Sequence, residues 1–156
     1  LASHEEDVVA ALAFRRCPPY DPQMYRWNEA KQLVQPSSWD EGLVPVDAFG
    51  MAAFAVKRRV FQKLIDAGHE YPFFRFWYPR AAMAEQIFPS EDIYFCLTCR
   101  QAEIPLHVDT SLVCPHLCVN LVDGGTWQMY LADHPEMRMP AVNVPADMRV
   151  KVGMGE

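Results

Sequence analysis

The residues best suited to chemistry are an adjacent acidic pair, Glu91-Asp92, and a later cluster of sulfur and imidazole ligands. Carboxylates at the mouth of a sheet can supply a general base or bind a hydroxyl-bearing ligand. The same pair follows Ser90, a good N-cap, and acids in a first helical turn complement the helix dipole without any catalytic duty. Cys96-x-x-Cys99 and Cys114-Pro115-His116-Leu117-Cys118 offer enough soft or borderline ligands for a tetrahedral zinc. Against that, the first two cysteines fall inside an amphipathic helical pattern with no glycine to form a metal-binding turn, which suits Cys96 as a small buried apolar residue. His116 alone reads as a surface imidazole or as one ligand to a metal completed from elsewhere. Lys57-Arg58-Arg59 sit at the start of a helix, the unfavourable end for positive charge. They suit either a phosphate contact or a solvated turn, and Arg15-Arg16 present the same choice.

These groups need elements to hold them. Asp7 to Phe14 is a continuous apolar run of the kind found in a strand buried on both faces. Pro18, Pro19 and Pro22 then remove donors and fix φ, predicting a long irregular loop to about Glu41. Gly42–Ala48 and Ala52–Val56 read as two strands separated by a bend at Phe49-Gly50. Val60, Phe61, Leu64 and Ile65 recur at helical spacing, ended by Gly68. Tyr71 to Pro79 concentrates six aromatics between prolines and reads as a loop, either a hydrophobic plug over the core or a ligand-facing wall. A helix runs from Ser90 to about Ala102, and Leu106–Asp109 alternates as a strand, followed by Leu112-Val113 and the break at Cys114-Pro115-His116. Thr126–Ala132 suits a strand or a short helix, and the last twenty or so residues lack periodicity. The order of elements predicts one mixed α/β layer domain over 1–156.

Composition narrows the function classes. The chain has 156 residues, 51% of them hydrophobic, and carries a formal charge of −6. That hydrophobic content excludes disorder, and the acidic balance argues against a general nucleic-acid surface. No apolar run approaches the ~20 residues of a bilayer span. Five cysteines, an odd count, without a recognisable secretory segment predict reduced thiols and a cytoplasmic location.

Three stretches together resemble the later part of GT-A type glycosyltransferases, the family 2-like enzymes that use nucleotide sugars. Ser90 to Leu97, continuing through Arg100-Gln101-Ala102 to Ile104–Ser111 and Cys114-Pro115-His116, is similar to the family's E-D-x-x-F-C helix, its I-x-V-D-T strand and its terminal histidine. Val46 to Phe61 is similar to its glycine, apolar strand, basic pair and helix. Asp7 to Arg16 with Pro18-Pro19-Tyr20 is similar to its strand and proline-rich loop. The likeness spans about residues 1–118, with 119–156 as an extension, and implies a partial GT-A mixed sheet with flanking helices.

On this resemblance the activity is transfer of a sugar from a nucleotide-sugar donor to an acceptor hydroxyl, with inversion. Asp92 is implied as the general base and Glu91 as its assistant or an acceptor ligand. Asp47 and Gly50 are implied on the substrate side, Phe74, Trp77 and Tyr78 along the acceptor, and His116 as ligand to Mn²⁺ or Mg²⁺. The family's D-x-D motif is absent, so the nucleotide-binding half is expected outside these residues, and residues 1–156 alone are expected not to turn over. Glu103 and Pro115 stand where the family has glycines, which predicts loss of a left-handed helix-ending residue at the first and a stiffer loop at the second. Two other readings stay open: a small zinc-stabilised binding module using the Cys/His cluster, and a non-catalytic carbohydrate binder using the aromatic loop.

Overall fold

A computed structural model describes residues 1–76, 89–116 and 123–137. In it the apolar run near the N-terminus forms β1 (Val8–Ala13), buried at all six positions. Burial on both faces requires neighbours on each side, and β1 has them. It pairs in parallel with β7 (Leu106–Cys114) and antiparallel with β6 (Phe54–Val56), while β4 (Leu43–Val46) completes the order β4-β7-β1-β6 on the far side of β7. A second, smaller sheet has the order β3-β2-β5, from β2 (Met24–Trp27), β3 (Leu33–Val34) and β5 (Ala48–Phe49). The chain is thus mixed α/β with a mixed sheet. Two of these short strands lie inside the span expected to be one irregular loop to Glu41. They were hidden because the prolines before Met24 and the two-residue length of β3 leave too few positions for a period-2 pattern.

The parallel pair carries an irregularity that matters for the site. Ala11 faces Asp109, but the next residue, Leu12, faces Val113. Thr110, Ser111 and Leu112 therefore bulge out of the β1 ladder. Thr110 is held by β4's approach instead: its hydroxyl donates to the Asp40 carbonyl at 2.8 Å and its backbone N–H donates to the Gly42 carbonyl at 2.8 Å. After the bulge, Ala13 and Cys114 are partners. Since the strands are parallel, Arg16 and His116 leave the same edge of the sheet, three and two residues beyond that pair.

Helix α1 (Arg58–Asp66) buries Val60 and Leu64, one turn apart on the face toward the core. Its basic N-terminus has a structural use. Asp7, 8% exposed at the head of β1, is gripped by Arg59 and by Lys63, the latter at 3.0 Å. Burial raises the Asp7 pKa, and hydrogen bonds and charge from Lys63 and Arg59 outweigh it, leaving the carboxyl below its ordinary value. A depressed carboxyl stabilises the fold above the unfolded pKa, near 3.8, and that contribution disappears as pH falls through the folded value. Asp7→Asn is therefore expected to destabilise by about 1–2 kcal/mol at pH 7, a charge-assisted bond discounted for the exposure of both cations. Denaturant titrations at pH 7 and in the acid range should show variant and wild type converging in acid. A difference that persists below the carboxylate range would contradict this.

Helix α2 (Glu91–Gln101) departs from the amphipathic pattern expected of it: Ile93 to Cys99 are buried at seven consecutive positions. It is an interior helix, packed against β5, β7 and α1. Ser90 occupies the N-cap with extended backbone, but its side chain makes no capping bond. The two helices end alike. At α1, Gly68 has φ +84° and the His69 and Gly68 N–H groups donate to the Leu64 and Ile65 carbonyls. At α2, Glu103 has φ +54° and the Ile104 and Glu103 N–H groups donate to Cys99 and Arg100. Both are Schellman closures. The expected loss of a left-handed residue at 103 is thus corrected: glutamate adopts that conformation itself, at a steric cost of ~1–2 kcal/mol. Glycine would relieve the strain but widen the unfolded ensemble, so Glu103→Gly should stabilise by about 0.5–1 kcal/mol. Chemical denaturation reads this directly, and a net loss of stability would refute it.

Helix α3 (Gly124–Asp133) resolves the open choice at 126–132. Its start is set by a capping box, with Asp123 accepting from the Thr126 N–H at 2.9 Å. Trp127 anchors it to the core at 2% exposure.

Candidate active-site cleft

At the carboxyl edge of β1 and β7 lies an open cleft of about 480 Å³, within the usual size of small-molecule sites. In sheets with parallel strands this edge is where ligands commonly bind. Five of the residues implied by the resemblance line it: Gly50, Phe74, Glu91, Asp92 and His116. They come from four separate segments, brought together by the end of β5, the loop after α1, the first turn of α2 and the exit of β7.

Asp92 is fixed by the neighbouring loop, its Oδ2 accepting from the Met51 N–H at 3.1 Å. That bond ties the Gly50-Met51 turn to the start of α2. Glu91 is differently placed, with Oε2 buried and lacking any hydrogen-bond partner among the described residues. His116 Nδ1 and Gln23 Nε2, on the same lining, are in the same condition. Buried polar atoms left unpaired cost about 1–3 kcal/mol each. Three such atoms without a partner among the described residues are grouped around one cleft, where a polar ligand can pair with them.

Gly50 is required by space. A Cβ there would come within 2.9 Å of the Gln23 Cβ and 3.1 Å of its Oε1. The Gly50 N–H also donates to the Gln23 carbonyl at 2.8 Å. The small residue thus lets the Gln23 side chain lie across the turn at the cleft floor. Phe74 forms an apolar wall, stacked on Phe95 of α2 at 4.5 Å and 14° and tilted against Phe54 at 6.1 Å.

Asp47, implied on the substrate side, is not part of this lining. Its carboxylate accepts from the Trp27 N–H at 3.0 Å and pairs with Arg100 at 3.1 Å, so it joins β2 to α2 as a structural group. Trp77, Tyr78 and Cys118 lie outside the described residues. Arg16, left open between phosphate contact and solvated loop, lines the cleft, as do Met51, Ala52 and Phe54 from the Val46 to Phe61 stretch, to which no role was assigned, and Gln23, which no motif marked. The signal for Gln23 is tertiary, since only the pairing of its backbone with Ala13 and Gly50 brings it there.

The sulfur cluster looks different in three dimensions. The Cys96 thiol sits between the Phe49 N–H and carbonyl, at 3.5 and 3.7 Å, and burial pushes its pKa up to about 12. Burial raises Cys99 as well. Metal-binding cysteines are thiolates in electropositive surroundings, the opposite condition. Among the described residues no three His, Cys, Asp or Glu side chains gather to hold a metal ion. The described residues therefore do not make up a resident cation site, and His116 brings at most one ligand. Among the same residues no helix is long and apolar enough to cross a membrane.

Compared with protein-family models and with curated proteins, the chain gives no match.

Proposed function

We propose that this cleft is the acceptor and base side of a glycosyl-transfer site, working on a nucleotide-sugar donor and a hydroxyl acceptor in a GT-A-like framework. The observation that carries the reading is the convergence of Glu91, Asp92, Gly50, Phe74 and His116 on one lining. They are five of the six resemblance-implied residues that the structure describes, Asp47 being the one off the lining. In this reading the acceptor hydroxyl lies against Asp92, which takes its proton as oxygen attacks the anomeric carbon of the donor and the C–O bond to the nucleoside diphosphate breaks. Glu91 accepts from a second hydroxyl through its unpartnered oxygen, and Phe74 packs on the apolar face of a sugar ring. His116 would offer a single nitrogen to a divalent cation accompanying the diphosphate, the remaining ligands being phosphate oxygens and water. No step of the proton transfer depends on that cation.

The zinc-module alternative has less support, because Cys96 and Cys99 are buried in the core and no three His, Cys, Asp or Glu side chains gather to hold a metal among the described residues. The assay for transfer uses the gene product as it occurs in the cell, offered a panel of nucleotide sugars and hydroxyl acceptors. Release of nucleoside diphosphate that depends on acceptor and is abolished with Asp92 replaced is the expected result. Release that is indifferent to Asp92 would overturn the assignment.

A further inference from the structure

The cleft lining also carries two nitrogen donors, Arg16 and Gln23, to which the proton-transfer scheme gives no task. Arg16 is exposed, lines the cleft and makes no hydrogen bond or ion pair among the described residues. Its loop is nonetheless pinned at both ends: the Arg15 N–H donates to the Asp21 carbonyl at 3.0 Å, the Tyr20 N–H to the Cys17 carbonyl at 3.1 Å, and Phe14 bridges Pro22. Among the described residues the guanidinium is thus without a partner, while the backbone of its loop is closed. On the same lining Gln23 is fixed through its own N–H, which donates to the Ala13 carbonyl at 2.7 Å, and is packed on Gly50, with its Nε2 buried and unpartnered among the described residues. A cation and an amide donor on one cleft lining are suited to tetrahedral oxyanions, which accept several bonds at once. Glu91 and Asp92 repel such a group, so within this lining its partners would be Arg16 and Gln23.

We propose that Arg16 and Gln23 form a phosphate-binding subsite of the cleft, so that the ligand is a phosphorylated molecule whose hydroxyl end faces Glu91 and Asp92. This rests on the cleft being a sugar-transfer site and goes beyond it by naming how the anionic group is held. The phosphate has two possible sources, the diphosphate of the donor or a phosphate on the acceptor.

The test is calorimetric titration of the chain with inorganic pyrophosphate, at low ionic strength and without metal. Saturable binding is expected, weakened about 10–100-fold by Arg16→Ala and about 3–10-fold by Gln23→Leu. Arg58→Ala, on a separate face, should leave it unchanged. Thermal melts of each variant ensure that lost binding is read only from folded protein. No binding, or binding indifferent to Arg16, overturns the subsite. Uridine diphosphate binding more tightly than a sugar monophosphate assigns the subsite to the donor, and the reverse order assigns it to the acceptor. Titration with a neutral methyl glycoside separates the two claims: if it binds while pyrophosphate does not, the subsite fails and the sugar-transfer reading survives. If neither binds, both fail.

Discussion

Asp92→Asn should lower the rate of transfer by roughly 10²–10⁴-fold, the usual contribution of a positioned general base, with little change in the acceptor KM. The substitution is well suited to isolate proton transfer. Asp92 is held by one bond from the Met51 N–H at 3.1 Å, and an asparagine carbonyl accepts the same bond, so the turn at Gly50 and the start of α2 keep their geometry. What asparagine cannot do is receive a proton. Glu91→Gln should act differently: it leaves a buried amide where an unpartnered carboxylate oxygen now stands, and in the proposed scheme it weakens acceptor binding more than turnover. A KM effect for residue 91 and a kcat effect for residue 92 would separate binding from base catalysis. Equal losses in both parameters for both variants would show instead that the first turn of α2 acts only as scaffold.

The largest stability effect is expected at Trp127. Its ring is 2% exposed, stacked on Trp39 at 5.7 Å and 25° and tilted against Phe14 at 6.2 Å. Its Nε1–H donates to the carboxylate of Asp21, itself 3% exposed, at 3.2 Å. Trp127→Ala removes an anchor that joins α3 to the end of β1 and to the loop carrying Arg16, at a cost of about 3–5 kcal/mol. For a domain of this size that corresponds to a fall in Tm of roughly 6–20 °C. Met129, on the same helix but 73% exposed, serves as the control, where alanine should stay within about 0.5 kcal/mol of wild type. Trp127→Phe should fall between, keeping the ring contact and losing the bond to Asp21. If Trp127→Ala left Tm unchanged, α3 would be a peripheral attachment to the fold.

The elements most legible in the sequence were those whose burial is complete or whose ends carry a marked residue. The run Asp7 to Phe14, read as a doubly buried strand, holds β1 at Val8–Ala13, and Gly68 ends α1 where its spacing predicts. Helix α2 was legible in position and less so in environment. A pattern of Ile93, Cys96, Leu97 and Arg100 on one side suggested a half-buried helix, yet Tyr94, Thr98 and Cys99 are buried too, because small and weakly polar side chains fill an interior without declaring it. Within the cleft, the acidic pair and His116 carried a recognisable order, whereas Gln23 carried none and Phe54 was marked only as part of an apolar strand. Their places come from the pairing of Gly50 with Gln23 and of Ala10 with Phe54, long-range relations that no local window contains. Asp47 shows the converse: an acidic residue within a recognisable stretch, used by the fold to tie Trp27 to Arg100.

The central claim is that one cleft, at the carboxyl edge of β1 and β7, receives the sugar substrate. The most direct measurement is an amide-resolved NMR titration with a nucleotide sugar, first alone and then with Mn²⁺ as a paramagnetic probe. The account predicts shifts at Gly50, Met51, Glu91, Asp92 and His116, followed by Mn²⁺ broadening centred on His116 and lost in His116→Ala. Shifts confined to the groove beside Arg58, Phe61 and Ile65 on α1, with the acidic pair undisturbed at saturation, would contradict it.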